Sequence, residues 1–189
     1  MKVDDGLRAR LKKIRMLAFD VDGVLTQGEI IYTDSGEEAK AFNVKDGLGI
    51  RVAAEAGIRV MLVTGRASSV VQRRARDLRI TDFLQRIGDK AHALRIAAEQ
   101  AGLALEEVAF MGDDLNDCEV MGVCGVSFAP ADAVPEVREQ ADLVTEAAGG
   151  RGAARQAIEA ILRAQGRWDQ AVAQYLASLA ARDRSRRTE

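Results

Sequence analysis

Histidine and cysteine are nearly absent: the 189 residues hold a single histidine, His92, and two cysteines, Cys118 and Cys124, with no CxxC between them. That scarcity argues against a disulfide scaffold and against a zinc site of imidazole and thiolate, and it leaves the cysteines as small buried thiols. A charge of one sign is missing too. Lys plus Arg number 27 against 29 Asp plus Glu, a net charge of -2. There is no electrostatic footprint for nucleic acid, so an anionic ligand has to be met by local groups. No apolar run approaches the ~18 residues of a membrane span, and the opening MKVDDGLRARLKKIR lacks the apolar region of a signal peptide. The expectation is a cytoplasmic protein with neither membrane nor nucleic acid as partner. Internal repeats and low-complexity linkers are also lacking, and the length suits one domain of roughly 100 to 200 residues.

What is present is alternation. Met16 to Phe19, Ile58 to Val63, Val108 to Met111, Val123 to Phe128 and Leu143 to Val144 read as strands, several too uniformly apolar to have a wet face. Helical spacing fills Leu48 to Ala56, Ser68 to Leu78, Lys90 to Ala101, Leu115 to Met121 and Val134 to Gln140. This repetition predicts an α/β fold with a doubly wound parallel sheet. One segment departs from it: GEIIYTDSGEEAKAFNV has β-prone arms around the turn signal TDSG, which predicts a hairpin over about residues 27–43 projecting beyond the first strand. Ile30, Ile31, Tyr32 and Phe42 are candidates for exposure there. A lone two-stranded ribbon is marginal in water, so it should pack against something, a second subunit included. The expected boundaries are an N-terminal extension 1–13, a domain 14–166, and a helical stretch over 167–189 that ends in the charged, disordered tail RDRSRRTE.

In an open parallel sheet, ligands bind beyond the carboxyl ends of the strands. Four polar clusters fall at that edge: Asp20 and Asp22 after the first strand, Thr64, Gly65 and Arg66 after the second, Lys90 at a helix start, and Asp113, Asp114 and Asp117 after VAFM. Carboxylates converging without histidine or cysteine form a hard oxygen site that suits Mg2+. The cation would compensate the repulsion between Asp20 and its neighbours and leave an ionised carboxylate able to attack phosphorus. The Thr64 hydroxyl, the Gly65 backbone at a helix N-terminus and the Lys90 ammonium supply donors for phosphoryl oxygens.

DVDGVLT, VTGR, the lysine and GDDLND together resemble the haloacid dehalogenase superfamily of phosphatases, over about residues 14 to 145. The resemblance implies that Asp20 is the nucleophile and Asp22 the general acid and base. It also implies that Asp20, the backbone carbonyl of Asp22 and Asp113 bind Mg2+, with Asp114 and Asp117 as supporting acidic residues. Dehalogenases of this fold need no second aspartate, so Asp22 points to phosphate chemistry.

About forty residues separate Asp22 from Thr64 and about twenty-five separate Thr64 from Lys90, too few for the cap domain that usually covers such sites. An uncapped site is wet and leaves the far end of a small substrate unrecognised. GEIIYTDSGEEAKAFNVKDG, MGDDLNDCEVM and AAGGRGA resemble a capless branch whose hairpins associate in a homotetramer with shared active sites. That branch hydrolyses the phosphosugar acid 3-deoxy-D-manno-octulosonate 8-phosphate on the route to lipopolysaccharide. Its substrate carries a carboxylate, for which Arg66, Lys45 and Arg151 are the candidate cations, Arg151 reaching a neighbour's site or else anchoring the C-terminal helix. N-acylneuraminate 9-phosphate is an alternative substrate. A non-catalytic phosphosugar-binding module and a phosphoacceptor switch domain are alternatives of another class, against which the Asp20 and Asp22 pair speaks. His92 is expected exposed on its helix, and Trp168, Tyr175, Met61, Met111 and Met121 are expected to be packing residues.

Overall fold

The computed structural model describes residues 3–186 of the chain. The strands are β1 (Met16–Phe19), β2 (Ile31–Tyr32), β3 (Glu38–Ala39), β4 (Arg59–Val63), β5 (Asp82–Leu84), β6 (Val108–Met111), β7 (Val126–Ala129) and β8 (Leu143–Val144). The helices are α1 (Asp5–Lys13), α2 (Val44–Glu55), α3 (Ser69–Leu78), α4 (Lys90–Gln100), α5 (Cys118–Val123), α6 (Pro135–Gln140), α7 (Ala153–Ala164) and α8 (Trp168–Arg186). Six strands form one parallel sheet in the order β5-β4-β1-β6-β7-β8. From β1 the chain winds outward through β4 to β5, then crosses back to β6 and winds the other way. That is the doubly wound topology expected of the sequence, and its switch point lies at β1.

Side chains alternate across β1, so Leu17 and Phe19 enter one core while Met16 and Ala18 enter the other. All four are fully buried, which is why the strand reads as an unbroken apolar run. The first core lies under α1, α2, α3, α7 and α8. Helix α7 presents Ala153, Ala154, Ala157, Ile158, Ile161 and Leu162 to it, one stripe at helical spacing. The second core lies under α4, α5 and α6 and takes Met61 and Met121, while Met111 lies in the first.

Several expectations shift. The edge strand β5, with only Phe83 and Leu84 apolar, is too short to show a pattern; it is held to β4 by the bidentate pair of Arg59 with Asp82, at 2.5 and 2.7 Å. Strand β7 starts later than the apolar run, because Val123 ends α5 and Gly125 passes so close to Glu106 that a Cβ would sit 2.3 Å from its carbonyl oxygen. The helix expected from Leu115 begins as a 3-10 turn over Leu115–Asp117. The described part of the expected N-terminal extension is tied into the domain: Leu11 of α1 is buried, and Arg10 reaches both the Gly125 carbonyl and Asp142. Helix α8 runs on to Arg186, into the stretch expected to be disordered, and residues 187–189, on which that expectation also falls, lie outside the described residues. Trp168 is 9% exposed between the guanidinium groups of Arg155 and Arg163, Tyr175 packs beside it on the core, and His92 is exposed.

The hairpin forms as β2 and β3 in antiparallel register, its turn closed by Thr33 and Gly36. Ile30, Ile31 and Tyr32 are 50%, 48% and 65% exposed. Phe42 corrects the expectation: it packs on the first core with the Arg74 guanidinium 5.5 Å over its ring. Neither connection that could carry a cap holds more than the hairpin with α2, or α3 with β5. No described helix is long and apolar enough to cross a membrane.

Candidate active site

Strands β1, β4 and β6 are neighbours, so the residues that leave their carboxyl ends converge without any long reach. Asp20 follows β1, and its backbone N–H donates to the Met111 carbonyl at 2.9 Å, which pins the exit of β1 to β6. Its side chain is 9% exposed. Thr64 follows β4 and is buried, held by Leu84 and Ile87 of the adjacent loop. Asp113 follows β6 by way of Gly112, where a Cβ would lie 2.4 Å from that of Asp117. Across the cleft Gly23 adopts a φ of +89°, and a Cβ there would lie 1.9 Å from Asp113 Oδ2. The close approach of the two loops therefore depends on glycine.

Lys90 occupies the first turn of α4, with Asp89 capping that helix through the His92 N–H at 2.8 Å. An ammonium at a positive helix end is poorly placed for the helix dipole. Two carboxylates compensate it: Nζ lies 2.9 Å from Asp20 Oδ1 and 2.6 Å from Asp117 Oδ1. Burial alone would lower the Lys90 pKa, but Asp20 and Asp117 outweigh it and raise it. The second oxygen of Asp117 accepts the Asp113 N–H at 3.1 Å, and the residue has no exposed surface. Asp117 thus spends both oxygens on holding Lys90 and the Asp113 loop in place. Asp114 is exposed and accepts the Leu115 N–H.

The acidic set fits a divalent cation. One ligand atom from each of Asp20, Asp113 and Asp117 lies within 4.8 Å of the others. Oδ1 of Asp113 is buried and has no hydrogen-bond partner. Burial, then the charges of Asp20, Asp117 and Asp114, push the Asp113 carboxyl up to about 8. Burial likewise raises Asp20 to about 6, against the lowering effect of Lys90. A buried, unpaired carboxylate oxygen is costly unless something positive meets it. With Asp117 committed elsewhere, Asp20, Asp113 and the Asp22 carbonyl, which accepts no bond among the described residues, are the oxygens available to a hard cation.

A cleft of about 240 Å3 opens on Asp20, Asp22, Thr64, Gly65, Arg66 and Asp113. A larger cavity of about 350 Å3 beside α1 and α7 has no such convergence, and its Glu159 is already paired with Arg155 and Arg163. The smaller cleft is therefore the candidate site. Thr64 Oγ1 accepts the Arg66 N–H at 3.2 Å, which turns the VTGR loop toward it. That loop precedes α3 and does not form its N-terminus, which Ser68 caps instead. A Cβ on Gly65 would meet nothing nearer than 3.7 Å, so only close approach of a ligand would require glycine there.

A haloacid dehalogenase-like hydrolase family matches residues 79–156. The 3-deoxy-D-manno-octulosonate 8-phosphate phosphatase of Escherichia coli (strain B / BL21-DE3) is 45% identical over 172 residues, 91% of this chain and 92% of that protein. The chain belongs to that phosphatase family. Two solved members show the same architecture. The enzyme of Yersinia pestis has a TM-score of 0.86 at 42% identity, covering 88% of this chain and 90% of its own. The enzyme of Moraxella catarrhalis, in complex with a magnesium ion, a phosphate ion and KDO, has a TM-score of 0.88 at 36% identity, covering 92% and 99%.

Within this phosphatase fold the remaining candidates separate. Arg66 lines the cleft, with its guanidinium 3.3 Å from Glu38 and 3.7 Å from Asp22, and its Nε has no hydrogen-bond partner. Lys45 is exposed in the first turn of α2 and does not line the cleft of its own chain. Arg151 also stays outside that cleft: it is exposed and donates to Gln27 Oε1 at 2.6 and 3.0 Å. The glycines around it do more than turn the chain. Gly149 and Gly150 seat against the loop after β1, where a Cβ on Gly149 would lie 1.7 Å from the Gly23 carbonyl oxygen. Neither Glu38 nor Lys40 of the hairpin stood out as a site residue in the sequence, yet Lys40 pairs with Asp22 and Glu38 with Arg66 at the edge of the cleft, and Ser68 donates to Glu38. Their signal was the alternation Glu38-Ala39-Lys40, which sends two charges to one face of a strand.

Proposed function

We propose that the protein is a Mg2+-dependent phosphatase that hydrolyses 3-deoxy-D-manno-octulosonate 8-phosphate to KDO and inorganic phosphate. One observation carries the chemistry: Asp20, paired to the buried Lys90, and Asp113, with an unpaired oxygen, line one cleft at the switch point of the sheet. The 45% identity over nearly the whole chain carries the choice of ester. Asp20 attacks phosphorus and becomes an aspartyl phosphate, while Asp22 gives a proton to the leaving alkoxide and then takes one from the water that releases phosphate. Lys90 and the Thr64 hydroxyl bind phosphoryl oxygens, and losing one such donor typically costs on the order of 10² to 10³ in rate. Magnesium, held by Asp20, Asp113 and the Asp22 carbonyl, supplies positive charge against the nucleophile and the phosphate. Asp117 and Asp114 act behind this layer, one on Lys90 and the other on its own turn.

Arg66 is the cation for the substrate carboxylate, because its guanidinium borders the phosphate cleft and its Nε has no hydrogen-bond partner, while Nη2 is held by Glu38. The exposed apolar strip Ile30, Ile31 and Tyr32 favours a homotetramer built on the hairpins, in which Lys45 and Arg151 serve a neighbouring site. The work is cytoplasmic, as part of lipopolysaccharide synthesis. Purified protein should release phosphate from the octulosonate ester and stop with EDTA; turnover indifferent to chelation would overturn the reading. Specificity constants for this ester beside N-acylneuraminate 9-phosphate identify the sugar.

A further inference from the structure

The hairpin is built inside out. Ile30, Ile31 and Tyr32 face solvent, while Lys40, with a side chain only 1% exposed, is turned inward. The ammonium lies 2.5 Å from Asp22 Oδ1 and 3.3 Å from Glu38 Oε1. Glu38 in turn accepts from the Ser68 hydroxyl and lies 3.3 Å from the Arg66 guanidinium. Burying an ammonium is expensive, and here two carboxylates meet it, one of them at the reacting edge. The strand β3 ends at Ala39 beside this cluster, and a short ribbon has little stability alone. These charged contacts therefore fasten the hairpin to the cleft of its own chain, whatever covers its outer face.

Resting on the phosphatase reading above, we infer that Lys40 is a positioning residue for proton transfer. It holds Asp22 by Oδ1 and so leaves Oδ2 as the oxygen that serves the leaving group. Oδ2 faces Arg66 Nε at 3.7 Å, a separation that is no hydrogen bond, so this oxygen is uncommitted. In the forward step the P–O bond to the sugar breaks as Asp20 forms its bond to phosphorus, and the proton on Oδ2 passes to the departing oxygen. In the second step water attacks phosphorus, its proton returns to Oδ2, and Asp20 is released. Lys40 touches neither substrate nor phosphorus. Without it, Asp22 can rotate, and misplacing a catalytic group by about 1 Å costs on the order of 10²-fold.

The test uses the leaving group. An alkyl ester such as the octulosonate phosphate needs the proton, whereas p-nitrophenyl phosphate expels a stabilised phenolate that does not. With full-length protein and Mg2+, kcat/KM, which reports the step up to phosphate transfer, is measured on both esters for wild type, Lys40→Met and Glu38→Gln. Lys40→Met should lose about 100-fold on the alkyl ester and at least tenfold less than that on the aryl ester. Glu38→Gln, which keeps Lys40 but removes its second anchor, should shift the ratio in the same direction by less. Equal losses on the two esters, or none on either, in variants with wild-type circular dichroism would overturn the inference. If Lys40→Met does not fold, Lys40→Gln, which leaves the Glu38 contact with Arg66 in place, is measured on the same two esters and its ratio decides it. Wild-type protein inert on both esters would instead defeat the phosphatase reading.

Discussion

Asp113 is the residue at which stability and function pull apart. Burial and three neighbouring carboxylates raise it to about 8, from an ordinary 3.8. A carboxyl raised in the folded state stabilises the fold fully below pH 3.8, and that contribution is lost as pH climbs through about 8. Asp20, raised to about 6, acts in the same direction. The metal-free protein should therefore lose thermal stability between pH 5 and pH 8, and added Mg2+ should restore it, because the cation binds the ionised form. Calorimetric titration in buffers of different ionisation enthalpy should show protons released on Mg2+ binding at pH 7 and an affinity that rises with pH. Asp113→Asn removes the uncompensated charge: its metal-free melting temperature should rise while turnover falls by roughly 10² or more. A variant with lower stability and unchanged activity would contradict this assignment. The residues proposed for this chemistry were legible in the sequence because Asp20, Thr64, Lys90 and the acidic loop each follow a recognisable strand or open a helix. The commitment of Asp117 to Lys90 and the Asp113 N–H was not, since it depends on distances across three loops.

Among the elements, the GGRG loop shows how a remote segment reaches the site. The Gly150 N–H donates to the Val24 carbonyl at 2.9 Å, and Asn43 donates to the Gly150 carbonyl at 3.2 Å. Both oxygens of the buried Asp46 in α2 accept from Gly152 and Arg155, capping α7 from another helix. This assembly clamps the loop that follows Asp20. Gly149→Ala would drive a methyl group into the Gly23 carbonyl, so kcat should fall about 10²-fold with the fold retained, as measured beside circular dichroism. At the far side α1 is clasped by Arg10, whose guanidinium lies 2.6 and 2.7 Å from the oxygens of Asp142. Burial would raise Asp142, but Arg10 and Ser127 outweigh it and hold it below its ordinary 3.8. The stabilisation is thus present above pH 3.8 and lost as pH falls below it. Arg10→Ala should cost about 1 kcal/mol near neutral pH, discounted for its exposure, and progressively less in acid, by denaturant titration at each pH. Helix α1 and strand β5 were not legible beforehand: one is a mostly polar surface helix with a single buried leucine, the other three half-exposed residues held by an ion pair. The strands of the sheet centre were legible because their burial on both faces leaves only apolar side chains.

At the scale of the whole molecule, a capless phosphatase domain presents an open cleft and a hairpin with its apolar side outward. The doubly wound topology and the missing cap followed from alternation and from the spacing of the motifs. The inward charges of the hairpin did not, because a turn flanked by β-prone residues says nothing about which face meets the core. If the hairpins join subunits, Ile31→Asp should reduce the assembly seen by light scattering from four chains to fewer, and should weaken activity wherever Lys45 and Arg151 serve a neighbour. An unchanged mass would remove the shared site while leaving the chemistry of each cleft intact. That chemistry rests on transient attachment of phosphate to Asp20, which acid-quenched single-turnover mixing with radiolabelled ester measures directly. The account predicts label on the peptide containing Asp20, rising and decaying at the pace of turnover and absent from Asp20→Asn. Full turnover with no label on the protein at any time would contradict it.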